Sequence, residues 1–440
     1  MIKEITIDDK KIYSLPEELA VVQYEGKYIV ISPQTANWMV FEDLVQVDFF
    51  KSLARQNIQK SFENFVLSGV DRKLLTNVLI QLEARQFCST YNKQADEFPM
   101  QLYLTNACNM RCPHCYMYAG VKGEHELTTV EVCELLLNYR RVGKRKVKLS
   151  GGEISLRTDL LEIIEYGWSI GIEFDLLTNG VAWTHTQIKS VAPYIYGIQI
   201  SIDGYNEEEN AKVRGKGNFQ KALNTLAAFY SEGVKQIQVA ITPWNDAQLH
   251  TKVHEYVNFA RKLRKKYPKL MVLFTTGLID GRELRNTKEE KEAYEHVMQE
   301  INSSFHNRDM KDASFIAAHI EHRLLDSCSY GSLVVAANGD VYTCTRIAQL
   351  KPYANLRKES FDDIIDKAHK AEELISVNNI YPCKSCELRY ICGGGCRIEE
   401  FPILKYGPAQ ANEIPFRQCP PKYKNQFYEL MIKTNELIYQ

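Results

Sequence analysis

From residue 100 to residue 276, short apolar runs alternate with longer stretches of helical spacing. The runs are MQLYLT (100–105), KVKLS (146–150), IEFDLL (172–177), YGIQISI (196–202), KQIQVAIT (235–242) and LMVLFTT (270–276), and they read as strands. Between them, Thr128-x-x-Glu131 has the spacing of a capping box, and Phe219, Ala222, Leu223, Leu226 and Tyr230 recur on one helical face. Strand–helix alternation predicts a parallel sheet, and six units predict a partial, TIM-like (β/α)6 barrel of the α/β class. In such folds the chemistry gathers at the C-terminal ends of the strands.

The pattern differs on either side. AVVQYEGKYIVIS (20–32) reads as two strands around Glu25-Gly26, a hairpin signal. Helical patterns follow at about 41–55 and 71–86; in the second, Asp71 is the candidate cap and Leu74, Leu75, Val78, Leu79 and Leu82 form one apolar face. A short sheet with amphipathic helices suits a winged-helix-like module over residues 1–95, or an extension that only packs on the rest of the chain. The barrel pattern occupies 99–305. From 306 to 440 the elements are short and cysteines are dense, as expected of a region held together by metal.

Composition narrows the class. A chain of 440 residues is too long for one ordinary core, and 54 Lys+Arg against 55 Asp+Glu gives no nucleic-acid footprint. The basic run KRKVK (144–148) reads as a solvated helix end leading into a strand. The N-terminal MIKEITIDDKK lacks the apolar region of a secretory signal, and no window approaches a membrane span. A cytoplasmic location is expected, and there twelve cysteines read as metal ligands before disulfides.

Their spacing carries the chemistry. TNACNMRCPHCYMY (105–118) holds Cys108, Cys112 and Cys115 at C-x3-C-x2-C, where the first predicted barrel strand ends. A structural zinc site wants four ligands; three thiolates leave one coordination position open. Downstream, Cys328 precedes Gly339 and Cys344, and CKSCELRYICGGGC places Cys383, Cys386, Cys392 and Cys396 before a last cysteine, Cys419. A zinc ribbon competes for that second array, since C-x2-C pairs are common in zinc sites. Cys88 and Cys133 belong to neither group, and Cys133 falls in a helical pattern as a core residue.

The first motif, with His114 just before its third cysteine, resembles the signature of the radical S-adenosylmethionine (SAM) superfamily. That resemblance implies a [4Fe–4S] cluster on Cys108, Cys112 and Cys115, with SAM on its fourth iron as the source of a 5′-deoxyadenosyl radical; soft thiolates suit such a cluster. SGGEI (150–154) is similar to the family's GGE motif, which implies that Gly151, Gly152 and Glu153 hold the SAM ammonium. Ser201 in SIDG matches the residue that meets the ribose, and Arg214 matches the arginine that meets the carboxylate. His114 joins these as a cofactor contact. The seven-cysteine array resembles the SPASM domain, which implies two auxiliary clusters and so three [4Fe–4S] clusters in all. Cys328, Cys344 and Cys396 would hold auxiliary cluster I; Cys383, Cys386, Cys392 and Cys419 would hold auxiliary cluster II. Some members supply another cysteine where this chain has His322, so the fourth ligand of cluster I stays open between water, a side chain such as His322 or Asp326, and a substrate thiolate.

Enzymes of this resemblance mostly act on peptides. It implies maturation of a ribosomally synthesised precursor peptide by hydrogen abstraction and an intrapeptide thioether or carbon–carbon cross-link. A flavodoxin- or ferredoxin-like protein would donate electrons. The precursor's leader would add a strand to the N-terminal module, with helix 71–86 as one wall and Val30 as a candidate pairing position; removing the module is expected to spare the clusters. Anaerobic sulfatase maturases, the alternative, carry an aspartate where Thr345 follows Cys344. An electron carrier or zinc scaffold would have no use for the GGE motif and Arg214.

Overall fold

The computed structural model describes residues 7–89, 99–307, 315–317, 324–326, 328, 332–401 and 416–439; His322 lies outside them. Three antiparallel strands come first: β1 (Ala20–Tyr24), β2 (Lys27–Ser32) and β3 (Asn37–Phe41), in that spatial order. Glu25 and Gly26 turn β1 into β2 with φ of 49° and 77°, the left-handed pair that a two-residue hairpin demands. Helices α1 (Leu44–Ser52), α2 (Ile58–Leu67) and α3 (Arg72–Ala84) follow, and the Asp71 side chain caps α3 by accepting from Lys73 N–H.

From Ile29 to Ser32 in β2 and throughout β3 this small sheet is buried on both faces, while Val21 and Gln23 of β1 are exposed. Val30, Met39 and Phe41 pack against α1 and α3 around Phe49, Phe50, Leu75 and Val78. The alternate residues Ile29, Ile31, Trp38 and Val40 point the other way, onto Leu388, Tyr428, Met431 and Ile432, with Cys386 and Cys392 at the edge of the same cluster. Tyr428, Met431 and Ile432 belong to the C-terminal helix Pro421–Tyr439. Polar ties run across the same boundary, from Arg389 to Glu18 (2.7 Å) and from Arg85 to Asn435 (2.8 Å). Val30 sits in the central strand, paired with Val21 and Met39, so its amide is not on an open edge.

The barrel sheet holds β4 (Met100–Thr105), β5 (Lys146–Gly151), β6 (Glu173–Thr178), β7 (Gly197–Ser201), β8 (Gln236–Ile241) and β9 (Met271–Phe274), all parallel and adjacent in chain order. Helices α4 (Thr129–Arg141), α5 (Leu160–Ser169), α6 (His185–Val191), α7 (Glu207–Arg214), α8 (Phe219–Ser231), α9 (Val253–Lys266) and α10 (Lys288–His306) accompany the strands. Thr128 and Glu131 form the expected capping box of α4. One large apolar core lies between strands and helices, with Leu102, Leu149, Leu176, Ile198 and Val239 at its centre.

Past β4 the sheet continues into β10 (Val334–Val335), β11 (Asp340–Tyr342) and β12 (Ala354–Asn355), so the cysteine-rich region begins as an extension of the barrel. β10 runs parallel to β4, and Gln101 N–H donates to Leu333 C=O at 3.0 Å, covering an edge that would otherwise lack partners. Arg357 grips the capping carboxylate of Glu131 from the same region at 2.5 and 2.9 Å.

Candidate active site

All six parallel strands direct their C-terminal ends at one cavity of about 300 Å³. Cys108, Cys112, His114 and Cys115 line it from the loop after β4; Gly151 and Gly152 come from β5, Asn179 from β6, Ser201 and Asp203 from β7, and Thr242 from β8. Arg214, the last residue of α7, closes the ring. Every residue expected at the first cluster and at SAM, except Glu153, borders this space.

The double glycine has a local cause. A Cβ on Gly152 would stand 2.1 Å from the Ala107 carbonyl oxygen, and one on Gly151 would stand 2.4 Å from that of Thr105. Without side chains, the end of β5 lies against the start of the cysteine loop, and Gly152 and Glu153 N–H each donate into that loop at 2.7 Å.

Glu153 departs from the expected ammonium contact. It is fully buried, and its carboxylate accepts from Ser155 N–H (3.2 Å), Ser155 Oγ (2.7 Å), Thr178 Oγ1 (2.6 Å) and Asn179 N–H (2.8 Å). Burial pushes its carboxyl above the usual range against the pull of these donors. The groups it holds include Asn179, whose amide donates to Asn109 at 2.8 Å beside the Cys108 thiol. Glu153 thus sets the wall of the cavity from behind.

A second support is absent from the sequence reading. The loop after β9 turns under the cysteine loop: Arg282 N–H donates to Cys115 C=O at 3.1 Å and Glu283 N–H to Pro113 C=O at 2.8 Å. The Arg282 guanidinium reaches the carbonyls of Cys112 and Ala119. Gly281 abuts His114 so closely that a Cβ there would lie 2.3 Å from the His114 carbonyl carbon. DGRELR (280–285) shows only a turn signal in the sequence, and its partners lie about 170 residues upstream.

Electrostatics follow from burial. Burial pushes the Cys108 thiol up and the Cys112 thiol to about 11, with the Arg214 charge working the other way. Both are therefore protonated near neutral pH until a metal displaces the protons. Burial lowers the His114 imidazole, so it stays neutral although Asp203 Oδ2 is 3.8 Å away.

The second array also converges. Cys383, Cys386, Cys392 and Cys419 ring one small cavity with Arg417 and Tyr423. Arg417 donates to Cys419 Sγ at 3.4 Å, and Tyr423 lies 3.8 Å from Cys392 Sγ. Cys328, Cys344 and Cys396 border a neighbouring apolar cluster around Ile375, Ile380 and Ile398. The Asp326 carboxylate accepts from Ser376 Oγ at 2.5 Å and Val377 N–H at 3.2 Å. Fully buried Arg397 cradles the triple glycine, donating to the carbonyls of Gly393 and Gly395 at 2.9 and 2.7 Å. Among the described residues no three His, Cys, Asp or Glu side chains come together tightly enough for one mononuclear ion. Cys133 is half-buried on α4, and Cys88 packs against the N-terminal core.

Comparisons with known proteins agree with this geometry. Residues 102–252 match the radical SAM superfamily, and residues 327–387 match SPASM, an iron–sulfur cluster-binding domain. The mycofactocin maturase MftC of Mycolicibacterium smegmatis is 28% identical over 314 residues, covering 68% of this chain and 77% of that protein. The PqqA peptide cyclase of Rhizobium meliloti is 24% identical over 327 residues, covering 70% and 84%. The crystal structure of Streptococcus suis SuiB has a similar fold, with a TM-score of 0.50 and 16% identity over 87% of this chain and 95% of SuiB. No helix among the described residues is long and apolar enough to cross a membrane. With three cysteines gathered at the ends of a parallel sheet and a second cysteine array elsewhere in the fold, the chain carries a radical SAM domain over residues 102–252 and a SPASM domain over residues 327–387.

Proposed function

We infer that the chain is a maturase of a ribosomally synthesised precursor peptide, installing an intrapeptide thioether or carbon–carbon cross-link. The observation that supports this most is the joint one: a SAM-type cavity at six strand ends, a SPASM array, and relatives named as a mycofactocin maturase and a PqqA peptide cyclase. When bound, a [4Fe–4S] cluster and SAM supply a carbon radical able to take a hydrogen atom from an unactivated C–H bond.

The residues present fit those groups. Cys108, Cys112 and Cys115 would hold the first cluster; the backbone of Gly151 and Gly152 would face the SAM ammonium, Ser201 its ribose and Arg214 its carboxylate. Cys383, Cys386, Cys392 and Cys419 would hold auxiliary cluster II, and Cys328, Cys344 and Cys396 would hold auxiliary cluster I with its fourth ligand open. The chain's own work is to hold these groups at fixed geometry and exclude water. Met110, Leu177, Leu278 and Ile279 supply apolar wall to the cavity.

The N-terminal module remains the candidate for leader capture, with one qualification from its edge. Val40 N–H donates to Gln81 Oε1 at 3.2 Å, Gln81 Nε2 donates to Val40 C=O at 2.8 Å, and Arg85 donates to Trp38 C=O. A leader strand added at β3 would have to displace these side chains, which already mimic a neighbouring strand.

The test is anaerobic co-expression with each short open reading frame adjoining the gene, followed by mass spectrometry of the peptide. Loss of two hydrogens per cross-link, dependent on Cys108, Cys112 and Cys115, is the expected result. Unmodified peptides throughout, with SAM still consumed, would overturn the maturase reading.

A further inference from the structure

We propose that Asp203 is the positioning residue for the SAM carboxylate: it holds Arg214 by Nε and leaves the two terminal guanidinium nitrogens to receive the ligand. This rests on the reading that the cavity takes SAM. Asp203 is 1% exposed, so its charge is buried beside the cavity it lines. Its Oδ2 accepts from Arg214 Nε at 2.6 Å, and its Oδ1 accepts from Thr242 N–H at 2.9 Å. Its backbone is pinned as firmly: Asp203 N–H donates to Asn210 Oδ1 at 3.0 Å, and Tyr256 Oη donates to Asp203 C=O at 3.2 Å. Parts of β7, α7, β8 and α9 therefore fix one carboxylate, and through it one guanidinium.

The need for such a fixture is electrostatic. Arg214, with 12% of its side chain exposed, borders the same cavity as Cys108 and Cys112, which would hold a cluster as thiolates. A mobile guanidinium would be drawn to them, and ligand binding would have to draw it back. Holding Nε removes that reorganisation and presents a planar fork whose geometry matches a second carboxylate. His114 Nε2 lies 3.8 Å from the same carboxylate oxygen, beyond hydrogen-bond distance, and does not compete for the pair.

Asp203→Asn keeps the shape but has one acceptor oxygen, so Thr242 N–H and Arg214 Nε cannot both be satisfied. The experiment measures SAM binding to anaerobically reconstituted holoenzyme by equilibrium dialysis, together with 5′-deoxyadenosine formation. For Asp203→Asn, the expected result is SAM affinity weakened about tenfold or more, the loss of one charge-assisted hydrogen bond. The turnover at saturating SAM should change far less, because an equally used ground-state contact raises KM rather than lowering kcat. Arg214→Gln alone and the double variant complete a cycle. If Asp203 acts through Arg214, the double variant binds SAM no more weakly than Arg214→Gln; additive losses would assign Asp203 a merely structural role and overturn the proposal. If Asp203→Asn alone takes up too little iron to assay, the neutral pair should recover uptake, and failure of both would equally overturn it. Unchanged SAM affinity in Asp203→Asn sinks this proposal alone, whereas a wild-type protein that does not bind SAM sinks the reading beneath it.

Discussion

Deleting residues 1–95 separates two accounts of the N-terminal module. A free-standing capture domain could be removed without harm to the clusters, as the sequence pattern suggests. The packing gives a different answer. Leu388, Met431 and Ile432 are 1%, 0% and 8% exposed because the face of β2 and β3 covers them. Uncovering three such side chains costs about 5–9 kcal/mol at about 1.5–3 kcal/mol each, an upper figure because the exposed surface can partly collapse. That is comparable with the whole stability of an ordinary domain, about 5–15 kcal/mol. Cys386 and Cys392 share that apolar cluster, and the C-terminal helix that forms its floor begins two residues after Cys419. The truncated protein should therefore lose auxiliary cluster II while the barrel, with its separate core, keeps the SAM cluster. Iron per chain and Mössbauer spectra of wild-type and truncated protein, reconstituted side by side, make the comparison. A truncated protein with the full iron complement and unaltered spectra would refute the reasoning.

Other perturbations reach the cysteine loop. Gly152→Ala should abolish the first cluster while sparing the auxiliary ones, because its Cβ would meet backbone 2.1 Å away; EPR of the reduced protein reports it. Arg282→Met removes a donor shared by the carbonyls of Cys112 and Ala119; Cys112 C=O still accepts from Cys115 N–H, but the buried Ala119 carbonyl loses its side-chain partner, at about 1–3 kcal/mol. Faster loss of the SAM-cluster signal to a chelator should follow; an unchanged rate would count against the clamp. Since burial holds the Cys112 thiol protonated, up to about 11, cluster assembly must release protons and should proceed further as pH rises from 6.5 to 8.5. Absorbance near 400 nm after reconstitution tests this, and a yield falling with pH would contradict it.

The barrel was legible because its strands are short apolar runs with nothing ambiguous between them. KVKLS (146–150), for instance, becomes β5, Lys146–Gly151. β3 escaped because NWMVF is buried at every position, which erases the alternation that marks a half-exposed strand. β10 and β12, of two residues each, are too short to leave a pattern. At the site, cysteine spacing is local and therefore visible. The contacts of Arg282 with Cys112 and of Arg85 with Asn435 join residues far apart in the chain, and only the fold brings them together. Glu153 shows the remaining gap: its motif was visible, but whether its carboxylate faced a ligand or the wall depended on Ser155, Thr178 and Asn179.

The central claim, that Cys108, Cys112 and Cys115 at the strand ends make this chain a SAM-cleaving enzyme, has a direct measurement. Anaerobically reconstituted and reduced wild-type protein should convert SAM to 5′-deoxyadenosine and methionine, followed by liquid chromatography. The Cys108→Ala, Cys112→Ala, Cys115→Ala triple variant should form neither, while its auxiliary-cluster spectra persist. Undiminished 5′-deoxyadenosine from the triple variant would contradict the account.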